Sequence, residues 1–96
     1  MKQIDFSDVH ENVELLSEVI LNNEIVIVNG FVAKGFIKKH PRGFTYDIYD
    51  LNAEWNEKTG EFKNDFLRDG GICTLGDNVD TAKNFIELMK KEEQRG

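Results

Sequence analysis

The stretch that decides the fold is Ile25-Val26-Ile27-Val28-Asn29-Gly30, continued by Phe31 to Lys39, His40-Pro41-Arg42-Gly43 and Phe44 to Tyr49. Four β-branched residues in succession read as a short strand. Asn-Gly behind them is the strongest two-residue hairpin signal, because both turn positions need φ > 0. The return strand is expected from about Phe31 to Lys39, and His40-Pro41-Arg42-Gly43 forms a second turn. Proline fixes φ at the second position of that turn and glycine suits the fourth. Beyond it two alternations overlap: Phe44, Tyr46 and Ile48 on one parity, Tyr49, Leu51, Ala53 and Trp55 on the other. A β-bulge near Ile48 to Asp50, or a strand buried on both faces, reconciles them.

Further along, Asn56-Glu57-Lys58-Thr59-Gly60 reads as a third turn, with glycine at its left-handed closing position. Phe62 and Phe66 alternate with Glu61, Lys63 and Asp65 as a half-exposed strand, and Asp69-Gly70-Gly71 turns into a strand from Ile72 to Leu75. Helices flank this meander. Upstream, Phe6, Val9, Val13, Leu16 and Ile20 recur at three- and four-residue steps, which predicts one helix from Phe6 or Ser7 to Leu21, its face widened by Leu15 and Val19. Asp5, Ser7 and Asp8 are its candidate N-caps, Glu11 completes a capping-box pattern with Asp8, and Asn22-Asn23 suits the exit. Downstream, a helix is expected from about Asn78 to Glu92, capped by Asp77 or Asn78, with Val79, Ala82, Phe85, Ile86 and Met89 on its apolar face. The tail from Glu93 to Gly96 is expected to fray. The expected fold class is α+β: an N-terminal helix, an antiparallel meander of about five strands and a C-terminal helix, with both helices on one sheet face.

The composition sets limits. With 96 residues there is room for one domain, residues 1–96, and for a thin core. The single cysteine, Cys73, excludes an internal disulfide framework and a cysteine-built zinc site. No apolar run approaches the ~20 residues of a membrane span, and the N-terminus lacks the apolar segment of a secretory signal. A cytoplasmic protein is therefore expected. Eighteen acids against twelve bases give a net charge of −6, which disfavours a general duplex-DNA binder.

No catalytic constellation emerges, and the expectation is a protein that is not an enzyme and has no cofactor or metal. Cys73 sits mid-strand between Ile72 and Thr74, where a small buried hydrophobe is the usual occupant. His40 is a turn residue. Asp50, Asn52, Glu54 and Glu61 fall at calcium-loop spacing, but Trp55 occupies the sixth position, which must be glycine. Gly70-Gly71 is not followed by the lysine and hydroxyl of a phosphate loop. Ala82-Lys83-Asn84 resembles the start of the C-terminal helix of double-stranded RNA-binding domains, yet Val79 and Asp80 stand where that family presents basic residues.

What the sequence offers instead is two charged surfaces. Asp8, Glu11, Glu14 and Glu18 are spaced by three, three and four residues, and no lysine or arginine lies between residues 3 and 33. On one helix these carboxylates would form a row ~5–6 Å apart, in which like charges cost a few tenths of a kcal/mol per pair. Such a row imitates a phosphate backbone and fits the basic groove of a protein that handles nucleic acid. Glu54, Glu57, Glu61 and Asp65 are expected to extend it. The second surface is the basic hairpin from 34 to 46. Its Lys34, Lys38, Lys39 and Arg42, interleaved with Phe31, Phe36, Phe44 and Tyr46, suit single-stranded nucleic acid. A second copy of the chain, its basic hairpin tip on the acidic helix, is a further partner.

The strand, capped turn and amphipathic helix from Ile72 to Met89, with the acidic balance and Asn-, Lys-, Ile- and Phe-rich usage, resemble the small acidic proteins of phages and mobile elements, anti-CRISPR proteins among them. That resemblance implies an inhibitor that binds a host protein in the cytoplasm of a bacterial cell or a phage-infected host. The leading expectation is thus a protein-binding module whose acidic surface engages a basic partner, with no membrane and no small-molecule substrate involved. The alternative is a single-stranded nucleic-acid-binding module using the basic hairpin.

Overall fold

The β-branched run forms strand β2 (Ile25–Asn29), and the residues after it form β3 (Ala33–His40) and β4 (Gly43–Asp50). The structure, a computed structural model, describes residues 1–62, 67–74 and 77–95, with the backbone alone at 62, 67–74 and 95. Around those strands lie β1 (Lys2–Asp5), α1 (Phe6–Val9) and α2 (Val13–Asn22) upstream, and β5 (Trp55–Asn56), β6 (Glu61–Phe62), β7 (Leu67–Thr74) and α3 (Asn78–Arg95) downstream. The main sheet has the order β1-β2-β3-β4-β7, while β5 and β6 form a separate small hairpin. The antiparallel meander and the α+β class stand as expected from the sequence. β1 is an addition: it runs parallel to β2, so α1 and α2 form a crossover and the sheet is mixed.

The turn at His40 to Gly43 matches its sequence signature. His40 pairs with Gly43, and Pro41 and Arg42 form the tip. Gly60 closes the β5–β6 hairpin at φ 70. The Asn29-Gly30 turn is different. Asn29 pairs with Lys34 instead of standing at the turn centre, and the N–H of Gly30 donates to the carbonyl of Ala33 at 3.0 Å. A longer loop over residues 30–32 results. Asp69-Gly70-Gly71 is also not a turn, since β7 runs through it. On β4 the step from Tyr46 to Ile48 spans two residues, whereas their partners on β7 are Ile72 and Arg68. The glycine pair thus lies in a bulge of β7. The expected irregularity beside Ile48 is present, but the extra residues belong to the partner strand. Asp65, Phe66 and Leu75 lie outside the described residues.

The two alternations of β4 serve two clusters. Phe44, Tyr46 and Ile48 join Val26, Val28, Ala33 and Ile37 in the main core, against Leu16 and Ile20 of α2 and Ala82, Phe85, Ile86 and Met89 of α3. Both long helices therefore cover one sheet face, and each large apolar side chain enclosed there contributes about 1.5–3 kcal/mol. On the opposite face Ile27, Phe36 and Ala53 form a second cluster with Ile25, Tyr49 and Trp55 around it. Phe36 stacks obliquely on Trp55 with ring centroids 5.2 Å apart.

The N-terminal helix is divided. α1 ends at Val9, and Asn12 caps α2 by accepting the N–H of Leu15 at 3.0 Å. Asp5 stands at the N-cap of α1 without a side-chain bond. The break leaves the apolar spacing intact, because Phe6 and Val9 still reach the core. Asn12 can offer the backbone a competing partner there, which is how such residues end or restart helices. At α3, Asp77 accepts the N–H of Asp80 at 2.9 Å, while Asn78 ties the helix to α2 by donating to the carbonyl of Ser17 at 3.0 Å. Val79, expected on the apolar face, is 39% exposed.

Candidate functional site

Splitting the first helix rearranges the acidic row. Asp8 lies on α1, Glu11 in the connection, and Glu14 and Glu18 on α2, all exposed. Only Glu14 and Glu18 keep the i,i+4 relation of a shared helix face. Asp8 and Glu14 now occupy first turns, where the helix dipole favours a carboxylate by about 0.3–1 kcal/mol. Asp8 would hold that place in a continuous helix too; Glu14 gains it only because α2 restarts at Val13. Glu11 and Glu18 have no such place. Among the described residues neither Asp8, Glu14 nor Glu18 forms an ion pair, and Glu11 meets only His10, at 3.8 Å. Lys83 and Lys90 of α3 line a cleft with Glu11 but come no closer than that.

Glu54 and Glu57 do not extend this surface. They line a groove with Ile27, Lys34 and Trp55, on the sheet face opposite the helices. The segment after β4 that carries Ala53 and Trp55 crosses to that face, so nearness in charge pattern does not become nearness in space. Asp50 accepts the N–H of Asn52 at 3.0 Å and shapes the crossing turn.

The basic hairpin divides as well. Lys34 donates to the carbonyl of Ala53 at 2.9 Å and pins the crossing segment to the sheet. Lys39 donates to the carbonyl of Leu21 at 2.7 Å and lies 4.0 Å from Glu24, capping the last turn of α2. Lys38 and Arg42 remain exposed. Phe36, Phe44 and Tyr46 are buried, leaving Phe31 as the aromatic in solvent, 86% exposed and at the far end of the hairpin from Arg42. Burial pushes the Tyr46 hydroxyl and the Asp47 carboxyl above their ordinary values. Asp47 faces Phe36 across the β3–β4 pair, which accounts for its desolvation.

No protein-family model matches the chain, nor does a curated protein or a solved structure. No described helix is long and apolar enough to cross a membrane. Among the described residues no group of His, Cys, Asp and Glu gathers as a metal site. The Cys73 side chain lies outside the described residues.

One arrangement had no sequence signal. Glu93, expected in a fraying tail, folds its carboxylate under the β2–β3 loop and accepts the N–H groups of Phe31 at 3.1 Å, Val32 at 3.2 Å and Ala33 at 3.3 Å. Gly30 packs so closely there that a Cβ would overlap Glu93 Oε1 and stand 2.7 Å from Met89 Cε. A side chain at this position would have to displace the ends of Glu93 and Met89. Beside this loop, Asp5, Phe6, His10, Phe31 and Glu93 line a groove of about 380 Å³.

Proposed function

We propose that this protein is a non-catalytic binding module of the cytoplasm that engages a basic surface on a nucleic-acid-handling protein and inhibits it. The observation that carries the reading is the exposed acid on the α1–α2 side, above all Glu11 and Glu18, which serve neither helix terminus and among the described residues pair with no lysine or arginine. A row of fixed anions attracts a basic groove over about a Debye length and gains most where water is excluded on docking. Glu54 and Glu57, on the other face, are left out of this surface. The resemblance to small acidic phage proteins agrees with inhibition by occupancy of such a groove.

The test is affinity capture from a bacterial lysate with the wild-type chain and the Glu11→Lys/Glu18→Lys variant, quantified by mass spectrometry. Glu14 is kept, so the first turn of α2 stays intact. A basic nucleic-acid-handling protein should be enriched by the wild type and lost with the variant, and purified partner should lose activity on adding wild type. An unchanged capture profile, a partner without a basic surface, or capture of nucleic acid alone refutes the reading.

A further inference from the structure

The groove beside the β2–β3 loop combines three features. It is concave, with Phe6 and Phe31 as its apolar walls. Phe31 is 86% exposed, yet its loop is not free to fold inward, because Glu93 holds three successive backbone N–H groups. A backbone held in this way has already lost its ordering entropy, and the ring it carries still has most of its surface to bury, which suits a binding anchor. The groove also carries the carboxylates of Asp5 and Glu93, and among the described residues neither a lysine nor an arginine lines it. Glu93 spends its oxygens on the loop. Asp5 is exposed and accepts no described side-chain bond, so its carboxylate is available.

Resting on the acidic-surface reading, we infer that this groove receives an arginine side chain of the basic partner, its guanidinium plane on Phe31 and its N–H edge on Asp5. Charge selects a cation, since the groove carries two carboxylates and His10 on its wall lies 3.8 Å from Glu11. The aromatic wall selects arginine over lysine: a guanidinium is planar, weakly hydrated and stacks on a ring, whereas an ammonium is a compact, strongly hydrated point charge. A bidentate contact with one carboxylate adds a second preference of the same sign.

Fluorescein-labelled octa-arginine and octa-lysine, equal in charge, separate the groove from the ridge in a fluorescence-anisotropy titration at pH 8 and low salt. The wild-type chain should bind octa-arginine at least threefold more tightly than octa-lysine, the ratio a surface cation–π contact gives. Phe31→Ala should bring octa-arginine down to the octa-lysine level and leave octa-lysine unchanged, and Asp5→Asn should lower the ratio. Phe31 is too exposed for its removal to unfold the chain, and circular dichroism checks that. Glu11→Lys/Glu18→Lys should weaken both peptides and preserve the ratio, so the ratio reports the groove and the absolute affinity reports the ridge. Equal binding of the two peptides, an equal effect of Phe31→Ala on both, or no binding overturns the arginine site. So does a sedimenting dimer that Phe31→Ala dissociates, which would make a second copy the occupant.

Discussion

Gly35→Ala should destabilise the fold by about 2 kcal/mol. Gly35 lies in β3 on the helix-facing side, and a methyl carbon built there overlaps Cζ and Cε1 of Phe85 and stands 3.3 Å from Cε2. Carbon atoms rest ~3.5–4.0 Å apart, so the ring must retreat. It has nowhere to go: Phe85 is fully enclosed and meets Tyr46 edge-on at 6.2 Å. Overpacking of this kind costs about 1–3 kcal/mol. The opposing term, the lower entropy of an unfolded chain with alanine in place of glycine, returns about 0.4–1 kcal/mol where the backbone is compatible. The steric term wins. For a domain of this size each kcal/mol moves the melting temperature by about 4–8 °C, so the loss should be roughly 8–16 °C. Urea unfolding read by the single tryptophan, Trp55, and by circular dichroism measures it. If the cause is Phe85, Gly35→Ala/Phe85→Leu should be more stable than the two single losses together require, by about 1 kcal/mol or more. A Gly35→Ala loss under about 0.5 kcal/mol, or additive behaviour of the pair, refutes this account of the core.

Glu93→Ala should cost about 1–2 kcal/mol, because charged hydrogen bonds to half-buried N–H groups are lost while water re-solvates the exposed one; Glu93→Gln should cost less. Hydrogen exchange should show the amides of 31–33 losing protection in the alanine variant, and unchanged protection would remove Glu93 as the loop's anchor. Asp47→Asn should stabilise the fold at pH 7. Its carboxyl is raised in the folded state by burial, so the charged form penalises folding above the folded pKa and the penalty fades as pH falls towards the ordinary carboxylate range. Urea midpoints of the two proteins should therefore differ at pH 7 and converge near pH 4, and a constant difference across that range contradicts the assignment.

The meander was legible because its signals are local. Ile25 to Val28 is β-branched, Pro41 and Gly43 set a tight turn, and Gly60 takes the left-handed position. The double alternation after Phe44 was informative for the same reason: each parity serves a different face. What failed was decided from far away. Asn29-Gly30 carries a two-residue hairpin signature, yet a carboxylate some sixty residues along the chain gathers the N–H groups of 31–33 and holds a longer loop. β1 has Ile4 as its one half-buried apolar residue, too little for a periodic signal, and exists because the open edge of β2 accepts it. The glycine pair at 70–71 reads as a turn in sequence because a bulge and a turn ask the same freedom of the backbone.

For the site, net charge by segment was legible and its meaning was not. A continuous first helix would make four carboxylates one costly row. The break at Asn12 makes Glu14 a first-turn residue, a place Asp8 holds in either arrangement, so half of the row needs no partner to account for it. The same geometry sharpens the remainder, because Glu11 and Glu18 have no such compensation. On the basic side, Lys34 and Lys39 spend their charge on the carbonyls of Ala53 and Leu21. A side chain holding a main-chain carbonyl must give up that bond to reach a phosphate, so the hairpin offers nucleic acid Lys38 and Arg42 at full strength and little more. Counting charges along a chain therefore overstates both surfaces, and the acidic one keeps the larger share because carboxylates on helix flanks have fewer backbone donors left to satisfy than lysines beside sheet edges and helix ends have carbonyls.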